Sequence, residues 1–137
     1  MSIAILKYSS SNINSLSNCL KSINIKHYIC SSKKDLEHAT TIILPGVGTY
    51  EAVLDEIRTN DTFKILKKKA NKGNKIIGIC IGMQIMADYG SELIDKKTKG
   101  LEMIHGDVRK MDRFHIGWNQ LYKRKNLENF KRFNQKS

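Results

Sequence analysis

The stretch that decides the fold is Gly-Ile-Cys-Ile-Gly-Met-Gln at residues 78–84. It overlaps the end of an apolar run suited to a β-strand, 75–79, and leads into a run with helical character, 83–89. A nucleophile flanked by glycines at a strand-to-helix turn is typical of a nucleophile elbow, which pushes the central side chain out at the carboxyl edge of a sheet. We therefore predict that Cys80 is a nucleophile, its thiolate favoured by the N-terminal end of the next helix. The alternative is a free cysteine buried in a core strand.

Strand-like and helix-like segments alternate before this turn. This order predicts an α/β fold with a mostly parallel sheet and flanking helices, because parallel strands need crossover connections. After residue 100 the sequence becomes extended and partly alternating, over 101–111 and 114–122, which predicts an antiparallel excursion. The predicted strands are 3–6, 25–30, 40–44 and 75–79, and the predicted helices or helical turns are 13–23, 33–38, 49–58 and 63–71.

The predicted first helix carries an apolar face. Ile13, Leu16, Leu20 and Ile23 recur at helical spacing, and Cys19 falls on the same side. We expect this face to pack on the sheet. In the helix predicted at 49–58, the inward residues are Val53, Leu54 and Ile57.

A second glycine-rich loop, Pro-Gly-Val-Gly at 45–48, ends the third predicted strand. Sites in parallel sheets lie at the carboxyl ends of strands, where this loop and the elbow both fall. Acyl transfer to a thiolate creates an oxyanion that needs aimed N–H donors. In an elbow one donor is the N–H after the nucleophile, here that of Ile81, and the 46–48 loop can supply a second. Alone, the loop reads as an ordinary turn between strand and helix, and no Gly-Lys-Ser/Thr follows to make it a phosphate loop.

A cysteine nucleophile also needs a base, usually histidine held by a carboxylate. The four histidines are His27, His38, His105 and His115. None has the sequence setting of a triad base, and no His-x-Glu pair occurs. Each is interpreted as a surface or strand histidine.

Length and cysteine content narrow the class of protein. We expect one domain in 137 residues, and no apolar run approaches membrane-spanning length. The first residues read as a strand without a secretion signal. Three cysteines without a CxxC pair predict a cytoplasmic protein with neither a disulfide framework nor a metal site.

The formal charge of +11 raises the question of nucleic-acid binding. Lysine outnumbers arginine by 19 to 5 and is spread along the chain, and no basic helix alternates with aromatic residues. A composition bias explains this charge better than a nucleic-acid site, although anionic small molecules or an acidic partner protein remain possible partners.

Taken together, these motifs resemble a known family. Residues 78–84 resemble the nucleophile motif of class I glutamine amidotransferases, a flavodoxin-like α/β family. Residues 44–50, Leu-Pro-Gly-Val-Gly-Thr-Tyr, are similar to the oxyanion-strand motif of the branch that forms the glutaminase subunit of imidazole glycerol phosphate synthase. Gly-Asp-Val at 106–108 and His-Ile-Gly-Trp-Asn at 115–119 are similar to later motifs of that branch.

The resemblance implies that Cys80 attacks the side-chain amide of glutamine and releases ammonia for histidine biosynthesis, without a cofactor. Val47 and Ile81 would carry the oxyanion N–H groups. The residues expected against the bound glutamine are Gly46, Gly48 and Gln84.

The resemblance also implies a partner, a (β/α)₈ cyclase subunit with which the chain forms a heterodimer. His115 and Trp118 would lie toward it. Without the resemblance, Trp118 fits a core anchor and an interface aromatic equally well.

Departures from the family set further expectations. The family's late His-x-Glu motif, which holds the catalytic base, is not matched, and its Asp-Tyr-Gly is Lys-Tyr-Ser at 7–9. We therefore expect 1–137 to form a single, incomplete amidotransferase domain with a divergent basic tail at 123–137, exposed sheet edges and strongly reduced activity. A truncated gene product, a catalytically dead scaffold, and an amidotransferase for surface-sugar or nucleotide modification remain alternatives.

Overall fold

A computed structural model describes residues 2–9, 11–92, 97–112, 116–118 and 120. The predicted tail at 123–137 and His115 lie outside this described part. The single domain over 1–137 therefore stays a prediction.

The four strands expected from the apolar runs form one parallel sheet with the order β2-β1-β3-β4. β1 and β3 are buried at every position, so they read as continuous apolar segments rather than alternating ones, as expected for central strands covered on both faces. The second strand is shorter than the predicted 25–30. The strands are β1 (Ile3–Leu6), β2 (Tyr28–Cys30), β3 (Thr41–Leu44) and β4 (Lys75–Gly78).

Within the described residues, five helices accompany these strands. The short polar helix at 33–38 and the break between the third and fourth helices occur where the sequence predicted them. Val53, Leu54 and Ile57 are buried, which confirms the predicted inward face. The helices are α1 (Ile13–Ser22), α2 (Lys33–His38), α3 (Tyr50–Thr59), α4 (Thr62–Asn71) and α5 (Ile81–Gln84).

The first helix buries the predicted face in part. Ile13 is buried and Leu16 and Leu20 are half-buried, but Cys19 is exposed, and Ile23 lies beyond the end of α1 with 59% of its surface exposed. The buried positions of α1 also include Ser17, whose hydroxyl lies 2.7 Å from Nε2 of His27. The inward face thus contains a polar position that the spacing of apolar residues did not predict.

A second, three-stranded sheet contains β5 (Ala87–Ser91), β6 (Thr98–Lys99) and β7 (Ile104–Arg109), in the order β6-β5-β7. The predicted helix at 83–89 is therefore wrong beyond α5. The predicted excursion is confirmed in part: residues 101–111 contain the strand β7, but β7 is parallel to β5, and the antiparallel partner of β5 is β6, just before residue 100. The carbonyls of Ile85 and Met86 accept hydrogen bonds from residues 101, 103 and 104, so long-range pairing overrides the local helical pattern.

Tyr50, at the start of α3, is part of the core and packs against the second sheet. Its ring is fully buried, and a Cβ at Gly90 would lie 2.5 Å from it, while one at Gly100 would overlap its hydroxyl. Glycine is required at both positions because the aromatic ring occupies the space of their side chains.

β4 is an edge strand of the described sheet, and an exposed edge was among the expectations. Ile77 and Ile79 are 48% and 43% exposed. None of the described helices has the length and apolar character needed to span a bilayer.

Candidate active site

The two loops singled out in the sequence lie side by side. β3 and β4 are parallel neighbours with Leu44 opposite Gly78, so their following loops leave the same edge of the sheet. The N–H of Ile79 donates to the carbonyl of Leu44 at 2.9 Å, which extends the pairing one step beyond β4. The sheet register therefore sets the distance between the loops.

Cys80 has the backbone of a strained elbow. Its φ is 53° and its ψ is −117°, outside the left-handed helical region that a non-glycine residue can occupy at low cost. Such a conformation costs on the order of 1–3 kcal/mol and is retained where the surrounding structure forces it. The side chain is exposed.

The alternative of a buried core cysteine is wrong for Cys80 but applies to Cys30. Cys30 is 1% exposed at the end of β2, and burial, with a smaller contribution from the charge of Asp35, raises the pKa of its thiol to about 11. Of these two sulfur atoms, only that of Cys80 can meet a substrate.

The two glycines around Cys80 are required by close backbone contacts. A Cβ at Gly78 would lie 2.5 Å from the Cα of Met83. A Cβ at Gly82 would overlap the carbonyl oxygen of Leu44. The turn is therefore folded back onto both its own helix and the neighbouring strand, and no larger side chain fits at either position.

The helix behind Cys80 is shorter than predicted, because α5 has only four residues. The predicted support of the thiolate by a helix dipole is correspondingly weakened, since the macrodipole is a sum over aligned peptides. What the short turn does fix is the backbone: the carbonyl of Cys80 accepts from the N–H groups of Met83 and Gln84 at 2.9 and 3.1 Å. The N–H of Ile81 has no acceptor within the described part of the chain.

The loop at 45–48 packs against the elbow. Gly46 and Gly48 have φ values of +155° and +126°, and a Cβ at Gly46 would overlap Cγ2 of Ile81. Val47 points its side chain to solvent, 56% exposed, and its N–H has no acceptor among the described residues. The loop then leads into α3, whose first turn is capped by Thr49. Two N–H groups without an internal acceptor thus lie on adjacent loops.

Gln84, the remaining residue expected against a substrate, is half-buried in the last position of α5. Trp118 is fully exposed, so its interpretation as a core anchor is wrong. The structure brings Gly46, Val47, Cys80 and the residues of α5 to one sheet edge, and it does not bring Trp118 into this group.

No described histidine contacts Cys80. The ring of His27 lies 2.9 Å from the carbonyl of Ile25, and that of His105 is solvent-exposed, 3.3 Å from a carboxylate oxygen of Asp88. His38 is exposed in the last turn of α2. The sequence interpretation of these three as surface or strand histidines agrees with their positions.

Sequence reasoning missed Tyr8. It follows β1, whose carboxyl end lies at the same edge, and that position in a parallel sheet was the available signal. Tyr8 is 3% exposed, its hydroxyl has no partner among the described residues, and it lies against Gly46. Burial, with a smaller contribution from Cys80, raises the pKa of this phenol well above its usual value.

Several known proteins have sequences similar to this chain. The chain is 37% identical over 125 residues to the imidazole glycerol phosphate synthase subunit HisH of Listeria monocytogenes serotype 4b (strain CLIP80459), which covers 87% of this chain and 59% of that protein. The chain is 35% identical over 125 residues to the subunit of the same name from Bacillus cereus (strain B4264), and the match covers 88% of this chain and 59% of that protein. It is 31% identical over 129 residues to the HisH subunit of Bacillus cytotoxicus, and the match covers 91% of this chain and 61% of that protein.

The chain thus spans about three fifths of the length of these relatives. The sequence model of the family described as "Glutamine amidotransferase class-I" matches residues 4–137, which include both glycine-rich loops. A match over nearly the whole sequence, together with the parallel sheet and the elbow at its edge, shows that this chain belongs to the class-I glutamine amidotransferase family.

Proposed function

We propose that this chain carries the nucleophile and oxyanion loops of a glutamine amidotransferase. The observation that supports this most directly is the exposed Cys80, held in a strained conformation between two glycines beside a second glycine loop. Strain of this kind in a fold without a role for it would be a pure loss of stability.

In the proposed reaction the Cys80 thiolate adds to the side-chain carbonyl carbon of glutamine, and the carbonyl oxygen becomes an oxyanion. The carbon–nitrogen bond then breaks, the nitrogen takes up a proton and ammonia leaves, which gives a glutamyl thioester. Water adds to the thioester carbon, the carbon–sulfur bond breaks and glutamate is released.

The oxyanion would be held by the N–H groups of Ile81 and Val47. Both lack an acceptor among the described residues, and they lie on loops that touch at Gly46. One such donor contributes about 10²–10³ in rate in comparable sites. Gly46, Gly48 and the half-buried amide of Gln84 would contact the glutamine.

The base that deprotonates Cys80 would lie outside the described residues, since His27, His38 and His105 do not contact the sulfur. Loss of a triad base costs several powers of ten in comparable enzymes. Glutamine hydrolysis by a form of the protein lacking that base would therefore be slow, although the thiol could still be acylated.

The ammonia would be used for imidazole glycerol phosphate synthesis in the cytoplasm, with a (β/α)₈ cyclase as partner. The relatives' name, a subunit of imidazole glycerol phosphate synthase, supports this pathway and implies a further subunit. Trp118 and Ile116 are 104% and 95% exposed and supply the kind of apolar surface that interfaces cover. His115, which lies outside the described residues, is the other residue that we assign to this interface.

Labelling with a diazo-ketone analogue of glutamine tests the amidotransferase proposal. The sulfur bonds to the terminal carbon, dinitrogen leaves and the thiol proton ends on that carbon, so a covalent adduct reports a formed pocket. We expect labelling of Cys80 that L-glutamine suppresses. Cys19 is an internal control, because it is also an exposed free thiol but lies on the regular helix α1.

Equal labelling of Cys19 and Cys80, or labelling that glutamine does not slow, would contradict the proposal. Iodoacetamide gives the baseline reactivity of both thiols without requiring a glutamine pocket.

A further inference from the structure

Tyr8 occupies a position that connects three parts of the site. It follows β1, which lies next to β3 in the sheet, and its ring reaches the loop that follows β3. A Cβ on Gly46 would overlap the Tyr8 hydroxyl and would also overlap Cγ2 of Ile81. Tyr8 and the elbow therefore both fill the space beside Gly46 that a side chain would need.

The hydroxyl of Tyr8 is buried without a hydrogen-bond partner among the described residues. An unsatisfied buried hydroxyl destabilises the fold, and such groups are few in native proteins. A phenylalanine would fill the same space without that cost. The hydroxyl of Tyr8 is thus available to a partner that forms in another state of the site.

The state of the phenol decides which partner is possible. Burial and the nearby Cys80 raise its pKa, so it stays protonated at neutral pH and can donate. The Tyr8 hydroxyl lies within overlap distance of the position that a Cβ of Gly46 would take, so the Gly46 peptide is close to it. A donor needs an acceptor, and the acceptor that this peptide offers is its carbonyl oxygen.

The ring is positioned by its backbone rather than by its hydroxyl. The N–H of Tyr8 donates to Oγ of Ser11 at 3.2 Å, and its carbonyl accepts from the N–H of Ser11 at 3.0 Å. The next residue, Ser9, donates its N–H to the carboxylate of Glu56 on α3. The tyrosine loop is thus fixed at both ends, and removal of the hydroxyl should leave the ring in place.

We propose that Tyr8 is a positioning residue of the amide-cleaving site, whose hydroxyl donates to the Gly46 carbonyl when the loop receives the substrate's oxyanion. That carbonyl and the N–H of Val47 belong to one planar peptide, so fixing the first fixes the direction of the second. The glycines at 46 and 48 give this peptide the freedom to rotate that makes such a restraint useful. The inference rests on the proposed function, because it assigns Val47 as an oxyanion donor.

The test compares Tyr8→Phe with Tyr50→Phe. Tyr50 is a matched control, since its hydroxyl is also buried and unpartnered among the described residues but lies against Gly100 rather than Gly46. Three quantities are measured in each protein: the rate of Cys80 labelling by the diazo-ketone analogue of glutamine, the rate of its alkylation by iodoacetamide, and the urea midpoint of unfolding.

For Tyr8→Phe we expect diazo-ketone labelling to slow by roughly three- to ten-fold, the effect of one net hydrogen bond. We expect an unchanged iodoacetamide rate and an unchanged or higher urea midpoint. Tyr50→Phe should label at the wild-type rate with both reagents.

Wild-type diazo-ketone labelling of Tyr8→Phe would overturn the positioning role. So would equal slowing with both reagents together with a lower midpoint, because that pattern belongs to a purely structural residue. If the wild-type protein shows no glutamine-protected labelling at all, the proposed function fails first and the role of Tyr8 fails with it.

Discussion

Replacing Cys80 by glycine should stabilise the fold although it removes the proposed nucleophile. At φ 53° and ψ −117° a side chain is strained, and relief of that strain is worth roughly 1–3 kcal/mol. Glycine loses more backbone entropy on folding than alanine, at a cost of about 0.5–1 kcal/mol. The midpoints of these ranges leave Cys80→Gly about 1 kcal/mol more stable than Cys80→Ala. Since the thiol is exposed, little burial is lost in either variant.

The comparison with alanine isolates the backbone, because both variants lack the thiol and only alanine keeps a Cβ. The matched control is the same pair at Cys19, which is exposed within the regular helix α1. There glycine should be less stable than alanine by about 1 kcal/mol. Urea unfolding gives both differences. For a 137-residue chain, 1 kcal/mol also corresponds to roughly 3–4 °C in Tm.

The result that would refute the reasoning is the same sign at both positions. If Cys80→Gly is less stable than Cys80→Ala, as at Cys19, the backbone at Cys80 is not strained. The argument from elbow geometry to a nucleophile would then lose its main support.

Three further predictions follow from close contacts and one ion cluster. Gly82→Ala should destabilise the fold by about 1–3 kcal/mol, because the new methyl group overlaps a β3 carbonyl, whereas Gly117→Ala, with open space around it, should leave the urea midpoint unchanged. Gly90→Ala should cost a similar 1–3 kcal/mol, because its Cβ would lie 2.5 Å from the ring of Tyr50; an unchanged Tm would show that the ring can move aside. Two lysine ammonium groups hold the pKa of Glu102 below its usual value, so its ionised form stabilises the fold above about pH 4.3 and this contribution is lost as the pH falls. Glu102→Gln should therefore flatten the acid side of the stability–pH curve, and a curve parallel to wild type would contradict the assignment.

The parallel sheet could be predicted because its two central strands, β1 and β3, are buried on both faces. Apolar runs such as 41–44 carry that signal locally, and the proline and glycines at 45–48 mark where the strand ends. The elbow could also be predicted from a local signal. The overlap that excludes a side chain at position 82 requires glycine two residues after the nucleophile, and this glycine is visible in the sequence.

The errors arose where distant residues decide the local structure. Residues 87–89 have helical character but pair in β5, because Tyr89 lies opposite Lys99 and Asp107. The burial of Ser17 in α1 goes with its contact to His27, which the periodicity of apolar residues does not predict. Both outcomes depend on pairings that are visible only once the chain is folded.

Leu44 links the two halves of the proposed oxyanion site. Its carbonyl accepts from Ile79 at the start of the elbow and leaves room only for a glycine at position 82. Leu44 is also three residues before Val47 in the same chain segment. The positions of the Ile81 and Val47 N–H groups therefore both depend on Leu44, at the end of β3. Because a planar, trans-linked backbone of three residues has little slack, a displacement of β3 relative to β4 would move the two donors apart rather than tilt one of them. Alignment of the donors is thus a property of the sheet register, while the direction of the Val47 peptide is left to its own loop.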